Sequence, residues 1–506
     1  MNEIVDAING IIWSSALIYL CLGVGLYFSI RTRFAQVRHF FGMIRLMLDG
    51  KSSAQGVSSF QALAMSLSGR VGTGNIAGVA TAITFGGPGA VFWMWVMAFL
   101  GASTAFVEST LAQIYKEEVD GQYRGGPAYY IEKGLGTKWY AWIFALATIL
   151  ACGVLMPGVQ SNSIAAGMAN SFGVEPAVTG AVLVILLGLI ILGGVKRIAK
   201  FAEIVVPFMA LGYILVACVI IALNIGKLPE VISLILRSAF GLESAFGAVL
   251  GLAIQWGVKR GVYSNEAGQG TGPHPSAAAE VSHPAKQGLV QAFSIYVDTL
   301  FVCSATAFMI LITGAYNVVG PAKEALHSGL AGVEAGPGFT QHAVESVLPG
   351  FGAAFVAIAL FFFAFTTIVA YYYIAETNVA YINRKIHRPW MVFLLKIAIL
   401  AATLYGCVRT ATLAWALGDI GVGLMAWLNI VAIVILQKPA LKALRDYEAQ
   451  KRQGLDPNFV PGPLGIDNAV FWEQRAAGAK QRRPGDDQDG GEPAVSPVIA
   501  APRSAE

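Results

Sequence analysis

The chain has 506 residues, of which 56% are apolar and only 13% charged. That is more apolar surface than a water-soluble core can hide, so the composition excludes a soluble enzyme or a nucleic-acid-binding protein and calls for an integral membrane protein. The net charge of +4 says little as a total, and its placement along the chain says more.

Segments able to cross about 30 Å of hydrocarbon at about 1.5 Å per residue fall at 9–30, 58–82, 90–115, 139–168, 177–193, 203–223, 244–257, 288–314, 350–376, 391–406 and 410–436, eleven in all. They predict an all-α polytopic fold. The first has an acidic leader, Glu3 and Asp6, and ends in RTRF without a small-residue cleavage site, so it is expected to be a retained helix and not a signal peptide. One set of loops holds Arg31, Arg33, Arg38, Arg45 and Lys51, then Lys116, Arg124, Lys133 and Lys138, then Lys196, Arg197 and Lys200, then Lys259, Arg260 and Lys286, then Arg384, Lys385 and Arg388. The alternate set holds only Lys227, Arg237, Lys323 and Arg409. Positive charge collects on the cytoplasmic side, which puts the N-terminus outside and the C-terminal tail inside. The five cysteines (Cys21, Cys152, Cys218, Cys303, Cys407) are scattered through apolar runs and read as small fillers, not as a disulfide framework or a metal cluster. After residue 436 a short cytoplasmic helix is expected, and beyond about residue 476 the Pro, Gly and charged composition predicts disorder.

One stretch does not suit its surroundings. VGTGNIAGVATAI, Val71 to Ile83, places three glycines and an asparagine within eight residues of a spanning segment. Unwound backbone at that depth survives only where protein buries it or it lines a polar cavity. A break there exposes carbonyls that suit a dehydrated cation and amides that suit a carboxylate. Close helix packing also uses glycines at four-residue spacing, as at Gly74 and Gly78, but packing does not require Asn75.

VGTGNIAGVATAI with GGPGAVFWMW, then GVKRGVYSNEAGQGTGP and FAFTTI, resemble the alanine or glycine:cation symporter family over about Gln55 to Trp427. The resemblance implies a leucine-transporter-type fold of two inverted five-helix repeats with broken helices. Residues 1–57 would then be an extra N-terminal helix and basic loop, 58–223 the first repeat, 224–436 the second and 437–506 a cytoplasmic tail. It implies uptake of a small neutral amino acid (alanine or glycine, with D-alanine or serine as further options) coupled to Na+ or H+. The setting would be the cell membrane of a bacterium or archaeon, with lipid as the surroundings, no other cofactor, no nucleic-acid partner and a monomer as the expected state.

Carried over residue by residue, the resemblance assigns the carbonyls of Ser68, Val71 and Phe363 and the hydroxyls of Thr366 and Thr367 to the cation. It assigns the amides of Thr73 and Gly74 to the substrate carboxylate. Asn75 would offer a side-chain oxygen to substrate or to a second cation, and Gln160, Thr367 and Tyr371 would line the pocket. Adjacent threonines also bond their own backbone, and that alternative stands beside the cation role. Asp298, mid-helix in QAFSIYVDTLFVC, is either a ligand for the substrate ammonium or a cation, or a partner for a buried base such as Arg70. Glu108 is expected to brace a broken helix. Glu266 and Glu376 fall at the cytoplasmic boundary, with gating or helix-end roles.

Two departures bear on the substrate. Tyr371 stands where members of the family usually have Trp, and VLMPGVQSNS brings Pro157 before Gln160, a kink that could turn Cys152 or Met156 toward the pocket. A membrane-embedded enzyme is the weaker alternative, because the six histidines lie in loops or at helix ends and no HExxH occurs. A transporter-derived sensor without turnover is the other.

Overall fold

The structure is a computed structural model and describes residues 2–50 and 52–481. All eleven apolar segments fall in helices, and among the described residues eight helices are long and apolar enough to cross a membrane. The two small hairpins of the described residues, Glu117–Val119 with Gln122–Arg124 and Asn317–Val319 with Ala325–Ser328, lie in the connections.

The remaining segments are short or interrupted, and the reason is local. Residues 58–82 become Ser59–Arg70, a break at Val71–Gly72, and a helix resuming through Gly74–Gly78 into Val79–Gly86. Ser58 caps the start reciprocally with Gln61, and Val71 ends the first half at φ −77°, ψ 84°, outside helical space. Pro176–Ile191 is a helix of 16 residues. The segment expected at 244–257 instead runs as Leu250–Asn265 and then breaks, before the short helix Pro273–Ala278.

That last difference corrects the charge count. Lys259 and Arg260 do not lie in a cytoplasmic loop. They are buried within the helix and both pair with Asp419 of Ala411–Ile435 at 2.8 Å. Trp13 near the N-terminus donates its indole N–H to the Asp419 carbonyl, so these bases share the end of the bundle that holds the N-terminal helix. Two charges end a hydropathy window whether solvated or paired, so the window closed eight residues too early.

Among the described residues three stretches of wide, π-type turn occur, at Gly74–Gly78 just after the break and at Ala151–Leu155 and Val297–Cys303 inside long helices. Such turns insert a residue and are frequent at functional sites. The second accounts for the expected kink: Pro157 has no N–H to give, and the ladder shifts so that the Met156 N–H reaches back five residues to Ala151.

The tail differs from expectation where it is described. Gln437–Arg452 is the helix foreseen, but residues 453–469 then fold back and Val470–Gln481 forms another helix, so order continues past residue 476. Trp472 is buried with its indole donating to the Gln113 carbonyl, and Arg475 pairs with Glu280 at 2.7 Å. Lys116 sits 4.5 Å from the Phe471 ring and 4.3 Å from that of Tyr123, and burial pulls its ammonium down to about 7. The disorder expected beyond residue 481 lies outside the described residues.

Candidate substrate and cation site

The break at Val71–Gly72 leaves backbone groups without helical partners, and side chains from two other helices and from its own next turn supply or approach them. The Gly72 N–H donates to Asn75 Oδ1 at 2.8 Å and the Thr73 N–H to Gln160 Oε1 at 3.0 Å. On the other side, the Thr367 hydroxyl lies 2.8 Å from the Ser68 carbonyl and 3.0 Å from that of Phe363. One proton serves two acceptors there. A Cβ at Gly72 would stand 2.4 Å from Thr367 Oγ1 and 3.0 Å from Gln160 Oε1, so only glycine lets these groups converge.

Oxygens of Ser68, Phe363 and Thr367 therefore form one group, between the first broken helix and the helix Gly352–Ile386. Thr366 bonds the Phe363 carbonyl at 2.9 Å and faces Met209 Sδ at 3.9 Å, so it touches the group through that shared carbonyl. The own-backbone bonds of both threonines coexist with the contact across to Ser68. Val71 is buried at the end of its half-helix, and no hydrogen bond of the described residues ties its carbonyl to the group.

Two assignments change. Both ends of the Asn75 amide are engaged within the protein: Oδ1 accepts from Gly72, and Nδ2 donates to Asp298 Oδ1 at 2.6 Å. Asn75 thus closes the break and does not offer its oxygen outward. Gly74 does not face a ligand space either, since a Cβ there would meet Ser264 Cα at 3.0 Å. Its glycine serves the approach of the second broken helix.

Asp298 is fully buried and bound on both oxygens, by Asn75, by Ser264 at 3.0 Å and by Thr299 at 2.7 Å. It ties the first break to the second helix of the pair, in place of a free ligand for an ammonium. Its partner is that set of donors, and the hydrogen bonds of Arg70 go to Gln291 and Ser294.

The resemblance implied broken helices in both repeats, but the residue pattern did not place the second break. From Glu266 to Gly272 the chain leaves helical space, with positive φ at Glu266 (58°), Gly268 (80°) and Gly270 (87°). Glu266 and Glu108 are both buried. Glu108 accepts from the Gly268 N–H at 3.3 Å and from Asn429 at 2.7 Å, and so braces this second break. Glu376 pairs with Arg124 at 2.6 Å. The signal available was NEAGQGTG itself, three glycines in eight residues after a helix that is apolar on its other flank.

Between the breaks stand Gln160, Tyr371 and Tyr263, the two tyrosines beside the same glutamine. Cys152 is turned to Met425 and Met156 accepts from Gln269, so neither is free in the way the kink suggested. Buried atoms without a partner lie on both breaks, Thr73 Oγ1 on the first and Gln269 Oε1 on the second. Orphaned buried polar groups cost about 1–3 kcal/mol each, which a polar ligand would relieve. Toward the end of the bundle holding Trp13, Arg260 lies 4.2 Å from the Trp415 ring and is pinned by Asp419.

A bundle of apolar helices whose two interrupted members meet around unpaired polar atoms is a multi-pass membrane protein of the solute-carrying kind. The model of the sodium:alanine symporter family matches residues 1–461, and the chain belongs to that family. It is 68% identical over 482 residues to YrbD of Bacillus subtilis (strain 168), covering 95% of this chain and 100% of the relative. It is 59% identical over 432 residues to a protein of Bacillus sp. (strain PS3) named sodium/proton-dependent alanine carrier protein, covering 85% and 97%. A more distant relative, the sodium/alanine symporter AgcS of Methanococcus maripaludis, is 38% identical over 443 residues, covering 86% and 94%.

Proposed function

We propose that the chain is a secondary active transporter that takes up alanine, or a small neutral amino acid like it, coupled to entry of Na+ and of H+. The observation that carries this reading is the approach of Thr367 to the Ser68 carbonyl across the first break. Neutral oxygens in that number suit a hard monovalent cation and bind it weakly enough to let it go. Na+ would replace the shared threonine proton bond, drawing Ser68, Phe363 and Thr367 onto itself. Val71 and Thr366 complete the set only if their oxygens turn inward on binding.

The amino acid would lie next to that cation. Its carboxylate takes the Thr73 N–H, displacing Gln160 Oε1, and Gln160 is then free to meet the ammonium with its oxygen. The Gly74 amide is available only from the same side of the turn, because its Cα faces Ser264. Tyr371 and Tyr263 bound the side-chain end of the pocket, which favours a short side chain. Opening alternates between the Arg260–Asp419 side and the side of the Glu266 break. The two five-helix halves, 58–223 and 224–436, supply one broken helix each and would move against one another. The membrane is the cell membrane, with the N-terminus outside, the tail in the cytoplasm and the monomer as the working unit.

Uptake of radiolabelled alanine into proteoliposomes tests this. Accumulation that follows an imposed inward sodium gradient, and fails without it, supports the proposal. Sodium-dependent binding with no accumulation would identify a sensor instead.

A further inference from the structure

Three carboxylates, Glu108, Glu266 and Asp298, are buried around one base, Arg70. If all four were ionised the cluster would carry two uncompensated negative charges in a dry interior, at several kcal/mol per ion. At least one carboxyl therefore holds a proton or a cation, and the donors around each show which. Asp298 receives hydrogen bonds from three side chains, Asn75, Ser264 and Thr299. Glu108 receives two, from the Gly268 N–H and Asn429. Glu266 receives one, from Thr271 to Oε2 at 2.8 Å, and its Oε1 has no partner.

Arg70 does not supply the missing bond. Its Nη1 goes to Gln291 and Ser294, while Nε and Nη2 are unpartnered. The two residues are held apart by reciprocal packing. Glu266 lies on Gly69, where a Cβ would meet its Oε2 at 3.2 Å, and Arg70 lies on Gly272, where a Cβ would meet Nη2 at 2.3 Å. Each break presses its charged residue against a glycine of the other. A narrow cleft beside them, with no room for a water molecule in this conformation, is lined by Ser66, Gly69, Glu266, Thr271, Gly272 and Tyr373, and Ser66 Oγ in its wall is also without a partner.

We propose that Glu266 carries the transported proton, loading and unloading it at Oε1 as the cleft between the two broken helices opens to one side and then the other. This rests on the reading of the chain as a cation-coupled symporter and assigns the proton its seat. The step is a proton transfer alone: when the broken helices part on one side, hydronium admitted there gives a proton to the carboxylate oxygen, and water admitted on the opposite side takes it back. Gly69 adjoins Ser68, so a change of charge at Glu266 is felt one residue from the proposed sodium oxygens. The other titratable groups facing Glu266 are Arg70 on the first broken helix, Glu108 on Gly89–Ile114, and Cys152. Asp298 lies on the turn before Ser304, and Tyr263 and Tyr371 complete the polar surround. His274, on the short helix beyond Thr271, and Tyr373 are committed to the Thr271 carbonyl, Asn378 and the His274 carbonyl.

Infrared spectroscopy of the purified full chain reads the proton directly. The carbonyl band of a protonated carboxyl, titrating away in alkali, is expected in the natural chain and in Glu108→Gln, and is expected to be absent in Glu266→Gln. Gln reproduces the size and neutrality of the protonated acid, so the variant should fold, and Glu266→Asp should keep a titrating band if it does not. In proteoliposomes containing a pH-sensitive dye, alanine entry should be accompanied by internal acidification, and the uptake remaining in Glu266→Gln should carry none. A band that survives Glu266→Gln, or sodium-driven alanine uptake with no proton movement in the natural chain, overturns the assignment. Failure of the symport reading looks different: the natural chain then accumulates no alanine under either gradient.

Discussion

The first and second helix breaks are made by different means. At Val71–Gly72 the interruption is short, and Asn75, Gln160 and Thr367 from the next turn and from two distant helices satisfy or approach its exposed groups. From Glu266 to Gly272 the excursion is longer, passes three times through positive φ, and keeps a non-glycine residue in left-handed space at Glu266. Such a conformation costs on the order of 1 kcal/mol and persists only where its surroundings hold it. Thr271, Glu108 and Asn429 do the holding. The short break suits ligands that take up backbone groups, whereas the long one positions a carboxyl.

If Asp298 is the strut that joins the two regions, Asp298→Asn should have the largest effect. The new amide would turn a donor toward the donors of Asn75, Ser264 or Thr299, at a cost of roughly 3 kcal/mol. A melting temperature in detergent lowered by several degrees, with alanine binding lost in proportion, is the expected result. A variant as stable as the natural chain would show that the breaks are fastened elsewhere.

Thr367→Val removes one oxygen from the proposed cation group and leaves the helix intact. The sodium concentration for half-maximal uptake should rise about tenfold, equivalent to about 1.4 kcal/mol. An unchanged sodium dependence would take the threonine out of the site. Gly74→Ala should do least to function. Its methyl would press on Ser264, costing about 1 kcal/mol of stability, while alanine affinity per folded molecule stays near that of the natural chain. A sharp loss of affinity in well-folded protein would return Gly74 to the substrate side.

The contrast also explains what could be read from the sequence. Glycines inside an apolar run mark a break because hydropathy on both flanks fixes their depth, and so Val71 to Asn75 was legible. NEAGQGTG follows Lys259 and Arg260, and their charge read as the end of the membrane although Asp419 pairs with both inside the bundle. Ion pairing across 159 residues leaves no local pattern. Ser68, Phe363 and Thr367 were grouped by resemblance alone, and their oxygens lie together in the structure. The direction of Gly74 was not legible, since one glycine looks the same whether it admits a ligand or a neighbouring helix. Nor was the folding back of residues 453–481, where Trp472 finds a buried seat that composition did not foretell.

The central claim is that cation and amino acid occupy one site and stabilise each other's binding. Calorimetric titration of the purified chain with alanine, repeated over a series of sodium concentrations at fixed ionic strength with choline as the replacement, measures that linkage directly. Binding free energies are reciprocal, so alanine affinity should rise with sodium and level off once the cation site is filled, by a factor of roughly 5 to 150. Alanine binding with the same affinity in choline as in sodium would contradict the account.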